Sequence, residues 1–287
     1  MSSLPLISNL ESVGVDYFTA TAYRTGIGHS FKDLGYHLIE QSTSIGNDVS
    51  TYRARDYIGY QSGGVCVGTR SDTHIIRLSS DEAREHWREV YQLATNVSRI
   101  DLQLTFKLER AYESYIREEH ARAIRAKQGQ GRRREIELRW NNVKGDTLYL
   151  GSRTSDIFAR MYDKGCESKT EQAGKLIRQE IEYKGKTAVA VSDRVHESES
   201  EQTSIAQFVS TYIRRFDLQT PENATANVQC ARGLTTNNDI KRQWLRTAVR
   251  PSIKRLLEAG MLEEVLEALG LTDQVTIKGK PRRKERI

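Results

Sequence analysis

Residues Val97–Phe106 read VSRIDLQLTF, and the alternation of this run decides the fold class. Ile100, Leu102 and Leu104 fall on one side of a period of two, and Arg99, Asp101, Gln103 and Thr105 on the other. Successive side chains of a strand point to opposite faces, so the run predicts a strand with an apolar back and a polar front. Such a strand belongs in an antiparallel sheet with one face open. Upstream, VDYFTATAYR (15–24) alternates, YIGYQSGGVCVGTR (57–70) is punctuated by glycine, and THIIRLS (73–79) is β-branched. A helix follows: Ser79 and Glu82 fit a capping box, and Ala83, Trp87, Val90, Tyr91 and Ala94 form one apolar stripe.

Downstream of the run, LERAYESYIREEHARAIRAK (108–127) predicts a charged surface helix. REIELRW (134–140) and TLYLGS (147–152) flank NNVKGD, a hairpin signal. DIFARMYDKG (156–165) reads as a strand that places Arg160, Tyr162 and Lys164 on one face and Ile157, Ala159 and Met161 on the other. KLIRQEIEYKG (175–185) puts Arg178, Glu180 and Glu182 opposite Ile177, Gln179, Ile181 and Tyr183, with Gln179 interrupting the apolar side. From Asp193 the composition changes. SDRVHESESEQ reads as a polar linker or exposed loop, and SIAQFVSTYIRRF and IKRLLEAGMLEEVLEALG as helices. The expected architecture is α+β: a mainly antiparallel sheet with helices on one face over residues 1–192, then a helical C-terminal region over 193–287.

The chain has 287 residues, enough for a substantial core. Its 44 Lys and Arg against 38 Asp and Glu give a net charge of +6, which favours phosphate-bearing partners. The last residues, KGKPRRKERI, gather Lys278, Lys280, Arg282 and Arg283 into an arm suited to DNA phosphates. Three cysteines, Cys66, Cys166 and Cys230, have no CxxC spacing and leave an odd thiol, which points away from a disulfide frame or a zinc site. No stretch approaches the roughly 18 to 20 apolar residues of a membrane span. A cytoplasmic protein without membrane contact is expected.

Brought together on one sheet face, Asp101, Glu180 and Glu182 could hold a hard divalent cation through oxygen ligands, with Gln103 as a neutral contributor. Tyr162 would stand beside it. A free phenol has a pKa of about 10, so a nucleophilic tyrosine needs a cation or a base at hand, and Arg160 and Lys164 are of the right type. The same residues are open to a plainer reading: a packing tyrosine with one hydrogen bond, and the solvated carboxylates of an open sheet. Spacing does not decide between them.

The segments SRIDLQLTF, LYLGSRTSDIFARMYDKGCESK and IRQEIEYKG, in this order, resemble the replication initiation factor (Rep_trans) family of rolling-circle initiators and related relaxases. The likeness spans roughly Val15 to Ala190, and the GSR…R-x-Y-D-K block carries most of it. It implies that Tyr162 is a DNA-nicking nucleophile, forming a 5′-phosphotyrosine link to begin rolling-circle replication or conjugative transfer. It also implies a divalent metal, Mg or Mn, held by the strand of Arg99 and Asp101 and the strand of Glu180 and Glu182. DNA, locally single-stranded at its origin or nick site, is the implied partner, with Arg99, Arg153 and Arg178 as further contacts; a host helicase and a homodimeric partner are additional expectations. The family's second acid after Asp101 is replaced here by Gln103 and Thr105.

Three other readings bear on the same chain. The six histidines, His29, His37, His74, His86, His120 and His196, lack the two-apart spacing of the His-hydrophobic-His initiators. HIIR (74–77) matches the H-x-x-R fragment of tyrosine recombinases but lies in a β-branched run rather than a helical domain. A non-cleaving origin-binding or regulatory protein suits the basic composition equally well, and divalent-dependent strand cleavage separates it from the nickase.

Overall fold

The computed structural model describes residues 7–24, 27–128, 136–141 and 145–220. The chain divides into two units at Thr235–Thr236, and every described residue belongs to the first. The expected C-terminal helix IKRLLEAGMLEEVLEALG and the arm with Lys278, Lys280, Arg282 and Arg283 lie outside the described residues.

Ten strands form one sheet: β1 (Ile7–Tyr23), β2 (Val49–Ala54), β3 (Tyr57–Ser62), β4 (Val65–Thr69), β5 (Thr73–Ser79), β6 (Asn96–Leu108), β7 (Ile136–Arg139), β8 (Thr147–Leu150), β9 (Ile157–Asp163) and β10 (Leu176–Lys184). Their spatial order is β2-β3-β4-β5-β1-β6-β10-β9-β8-β7, and every neighbouring pair is antiparallel. The run Val97–Phe106 is the centre of β6. Its Ile100, Leu102, Leu104 and Phe106 are fully buried, as the alternation requires.

The helices cover that apolar face. They are α1 (Ile27–Ser44), α2 (Ser80–Leu93), α3 (Tyr112–Gln128), the single turn α4 (Lys164–Glu167), α5 (Gly185–Glu197) and α6 (Glu201–Arg214). Phe31 and Leu38 of α1, Trp87 and Val90 of α2, Tyr115 and Ile116 of α3, Val191 and Val195 of α5, and Phe208 and Ile213 of α6 share one cluster with the strands. The fold is α+β with its longer helices on one face of the sheet. None of the described helices is long and apolar enough to cross a membrane.

Several local expectations are corrected. No linker separates a sheet domain from helices at 193: Asp193 to Glu197 close α5, and α6 buries Ile205, Phe208 and Val209 in the sheet's own core. The polar letters of SDRVHESESEQ are largely the outer faces of two helices. Ser79 does precede a helix, but its hydroxyl donates to the Gly64 carbonyl at 3.3 Å and makes no cap bond. Trp140, just after β7, is 56% exposed, with Arg117 over its ring. Gln179, which interrupts the apolar side of β10, is buried there and donates to the Gln219 carbonyl at 2.7 Å. Helix α1 and strand β2 carry no sequence expectation.

Two buried charges tie elements together. In β1 the pairing with β6 skips a residue between Val15 and Tyr17, a bulge that leaves Asp16 extra. Its carboxylate reaches Arg178 on β10 at 2.6 Å, while Arg178 Nε donates to Thr105 Oγ1 of the intervening β6 at 3.0 Å. In α3, Glu119 is fully buried and accepts from the Gln219 backbone N–H at 2.8 Å. Burial pushes its carboxyl up to about 7, against the pull of that hydrogen bond and of Arg122.

Asp16→Ala strips the buried Arg178 guanidinium of its carboxylate and is expected to cost about 3 kcal/mol in urea unfolding, with Asp16→Ala/Arg178→Met recovering part of the loss. A pH series tests Glu119. A carboxyl raised in the folded state contributes stability below its unfolded pKa and loses it as pH rises through about 7. Glu119→Gln should therefore unfold close to the wild-type temperature at about pH 4 and above it at neutral and alkaline pH. A difference independent of pH would contradict this.

Candidate active site on the open sheet face

The register of β6, β10 and β9 places the polar residues in rows. Asp101 stands opposite Glu182, and Glu182 opposite Phe158. In the next row Gln103 faces Glu180, and Glu180 faces Arg160; in the third, Thr105 faces Arg178, and Arg178 faces Tyr162. All of these share the face opposite the helices. The structure thus brings together Asp101, Glu180, Glu182, Arg160 and Tyr162, as the alternation predicts.

At the centre is the carboxylate of Glu180, only 2% exposed. One of its oxygens takes Arg160 Nη2 at 2.5 Å, and the other accepts from the Tyr162 hydroxyl at 3.2 Å. Burial, which alone would lower an arginine, is outweighed at Arg160 by the charge and hydrogen bond of Glu180, so the guanidinium holds its proton firmly. At Tyr162, 6% exposed, burial is the largest influence and the Glu180 charge adds to it. Arg178 and Arg160 pull the other way without offsetting them, and the phenol is held well above its ordinary value. The expectation that neighbouring cations favour a phenolate is therefore corrected: Tyr162 is a neutral phenol whose hydrogen bond points at a carboxylate.

Lys164 lies just beyond the strand, as the first residue of the turn α4. β9 ends at Asp163, whose carboxylate caps the turn α4 by accepting from the Cys166 N–H at 2.9 Å and from the Gly174 N–H at 2.5 Å. A Cβ at Gly165 would lie 2.2 Å from the Gln172 carbonyl oxygen, so glycine is required there. Lys164 pairs with Glu167 on this turn at 2.5 Å. The residues DKG after Tyr162 end the strand instead of prolonging it, and Arg178 stands opposite Tyr162 on β10.

The second carboxylate group lies one row along. Arg99 holds Asp101 through Nε at 2.7 Å and Nη2 at 2.5 Å, and the same Nη2 reaches Glu182 at 2.8 Å. Lys184 closes the other oxygen of Glu182 at 2.6 Å. Asp101, buried beneath this network, is pushed up to about 8, chiefly by burial, with Glu180 and Glu182 adding and Arg99 opposing. The donor set has the oxygen chemistry that Mg or Mn takes, and a positive group already bridges Asp101 and Glu182. In the present arrangement Arg99 pairs with Asp101 and Glu182, Lys184 with Glu182, and Arg160 with Glu180. Among the described residues, no group of three or more His, Cys, Asp or Glu is placed to hold an ion.

The expected DNA contacts divide. Arg178 is 5% exposed and bound to Asp16 and Thr105, and Arg99 is engaged with Asp101 and Glu182. Both hold the face together from within. Arg153 is exposed and lies over Tyr149 and Phe158. Sequence reasoning missed Asp16, because nothing in VDYF announces a bulge. It also missed the role of Asp163 as a cap, although D-x-x-C at a strand end carries that signal. His74 and Arg77 of the H-x-x-R fragment are three apart on β5 and so project to opposite faces, unlike a recombinase pair.

Comparisons with known proteins bear on the family and the fold. The sequence model of the replication initiation factor family matches residues 95–269. The match starts later than the resemblance drawn above, leaving out the segments upstream of Thr95, and runs on well beyond Ala190 into the C-terminal region. No curated protein matches the chain. Among solved structures, a rolling circle replication initiator protein from Geobacillus stearothermophilus is similar over 84% of this chain and 99% of its own, at 16% identity and a TM-score of 0.51, a likeness of fold. The chain belongs to the replication initiation factor family.

Proposed function

We propose that the chain is a site-specific DNA nicking and closing protein that starts rolling-circle replication or conjugative transfer, with Tyr162 as its nucleophile. The observation that carries the proposal is the shared carboxylate of Glu180, which accepts the Tyr162 hydroxyl and holds Arg160. A neutral buried phenol cannot attack until its proton has somewhere to go, and Glu180 is in hydrogen-bond reach of it. As the proton passes to Glu180, the phenol oxygen attacks the phosphodiester and the P–O3′ bond breaks. The leaving 3′ oxygen takes up a proton, and the 5′ phosphate remains on Tyr162. Arg160, whose side chain is 36% exposed, would meet the charge that builds on the phosphoryl oxygens. Because one phosphodiester replaces another, a 3′ hydroxyl can reverse the step and close the strand.

Asp101, Glu180 and Glu182 would hold a divalent ion, Mg or Mn, when it binds. The ion would supply polarisation of the phosphodiester. Arg99, Lys184 and Arg160 keep these buried acids compensated in the arrangement described. The nicking domain of this proposal is the sheet with α1 to α6, so its boundary falls after α6 instead of at 193. DNA is the proposed partner, with Arg153 and the arm bearing Lys278, Lys280, Arg282 and Arg283 on its phosphates. A host helicase and a second copy of the chain remain part of the proposal.

A second reading, a non-cleaving origin-binding protein, draws on one observation: each of the three acids is closed by a cation of the chain itself. One assay separates the two. Single strands covering a candidate origin are incubated with Mn or Mg and resolved on denaturing gels. The nickase reading expects a DNA adduct that EDTA and Tyr162→Phe both abolish, and that Glu180→Gln slows by about a hundredfold or more. Bound but uncut strands under every ion would establish the non-cleaving reading.

A further inference from the structure

One part of the open face has no role in the nicking step. Tyr149 on β8 stands opposite Arg160, and Phe158 lies two residues before Arg160 on β9, on the same face and opposite Glu182. The two rings stack at 5.7 Å and an interplanar angle of 20°. Above them lie two guanidinium groups. Arg153 Cζ is 5.3 Å from the Tyr149 ring and 5.4 Å from the Phe158 ring, and Arg139 Cζ is 5.1 Å from the Tyr149 ring. Both arginines are exposed, Tyr149 is half-buried, and Phe158 beneath it is buried.

This platform is wired to the acids. Lys184 Nζ donates to the Arg153 backbone carbonyl while pairing with Glu182 at 2.6 Å. The turn carrying Arg153 is further held by Gly151 at φ +92°, a left-handed conformation that favours glycine. Lys184 also lies opposite Arg99, which bridges Glu182 and Asp101. The aromatic pair is therefore at a fixed position relative to the carboxylates and to Tyr162.

We propose that Tyr149 and Phe158, with Arg153, form a seat for one unpaired nucleotide of the DNA strand presented to Tyr162; the inference rests on the nicking reading of this face. An aromatic pair roofed by exposed cations, not by apolar side chains, offers two chemistries at once. The half-buried Tyr149 ring, backed by the buried Phe158, takes the flat face of a base, and the guanidinium takes a flanking phosphate. A base within a duplex has both faces covered, so the seat selects unpaired strand. Stacking uses the π-face that every base has, so the seat positions the strand without reading its sequence.

The test uses the full chain in EDTA, so that binding is read without cleavage. Two probes are compared by fluorescence anisotropy, a short oligothymidylate and the same backbone made abasic. Wild type and Tyr149→Phe should bind the base-bearing strand about tenfold more tightly than the abasic one. In Tyr149→Leu that preference should vanish while abasic binding is kept. Arg153→Gln, at an exposed position, should weaken both probes alike. A Tyr149→Leu protein that keeps the preference, or that loses both probes equally, overturns the seat; so does a wild type without the preference. Phe158→Leu gives the same comparison if Tyr149→Leu does not fold. Failure of the nicking reading would appear separately, as absence of an adduct with Mn or Mg.

Discussion

The pairing of β10 between β6 and β9 fixes everything on the open face. Strand side chains alternate with a period of two, so a slip of one residue in β10 would send Arg178, Glu180 and Glu182 into the helices and expose Ile177 and Ile181. The register is held from below by Ile181 against Leu102 and Ala159, all fully buried. It is held from above by Arg178, which crosses β6 through Thr105 to the bulged Asp16 of β1. Packing and ion pairing thus specify the same alignment, and the alignment sets Glu180 within reach of both Arg160 and Tyr162.

Concentrating acids on a buried surface has an electrostatic consequence. Asp101 and Glu180 are almost without solvent, and such carboxylates persist only if positive groups compensate them. Arg99, Arg160 and Lys184 do so through contacts of 2.5 to 2.8 Å. Tyr162 obeys the opposite logic. Burial together with the Glu180 charge keeps its proton on, so reactivity depends on an acceptor close by and not on a pre-formed phenolate. One carboxylate both raises the phenol and offers to take its proton.

Much of this was legible in the chain. The alternation of Val97–Phe106, of Ile157–Tyr162 and of Arg178–Glu182 set the sheet, its polar face and the company of Asp101, Glu180, Glu182, Arg160 and Tyr162, because a period of two is a purely local consequence of backbone geometry; that the centre of this face is buried and not solvated did not show. The strand was carried one residue too far, to Lys164, because a strand can end at any residue, and here an aspartate cap and a glycine required by a close approach end it at once. Asp16 was hidden because a bulge depends on pairing with a distant strand. The polar run after Asp193 looked like a linker because its helical faces are polar, while the residues that anchor it, Val189, Val191 and Val195, sit mostly upstream. The pairing of Arg99 with Asp101 and Glu182 was open in the sequence as one reading, whereas that of Arg178 with Asp16 depended on the hidden bulge.

The central claim is that the Tyr162 oxygen becomes bonded to DNA. Its most direct test is to digest the protein–DNA adduct with protease and nuclease and map the residual nucleotide by mass spectrometry. The account predicts the phosphate on Tyr162, in the peptide containing MYDK. A nucleotide found on any of the other tyrosines, or none on any tyrosine after the strand has been cut, would contradict it.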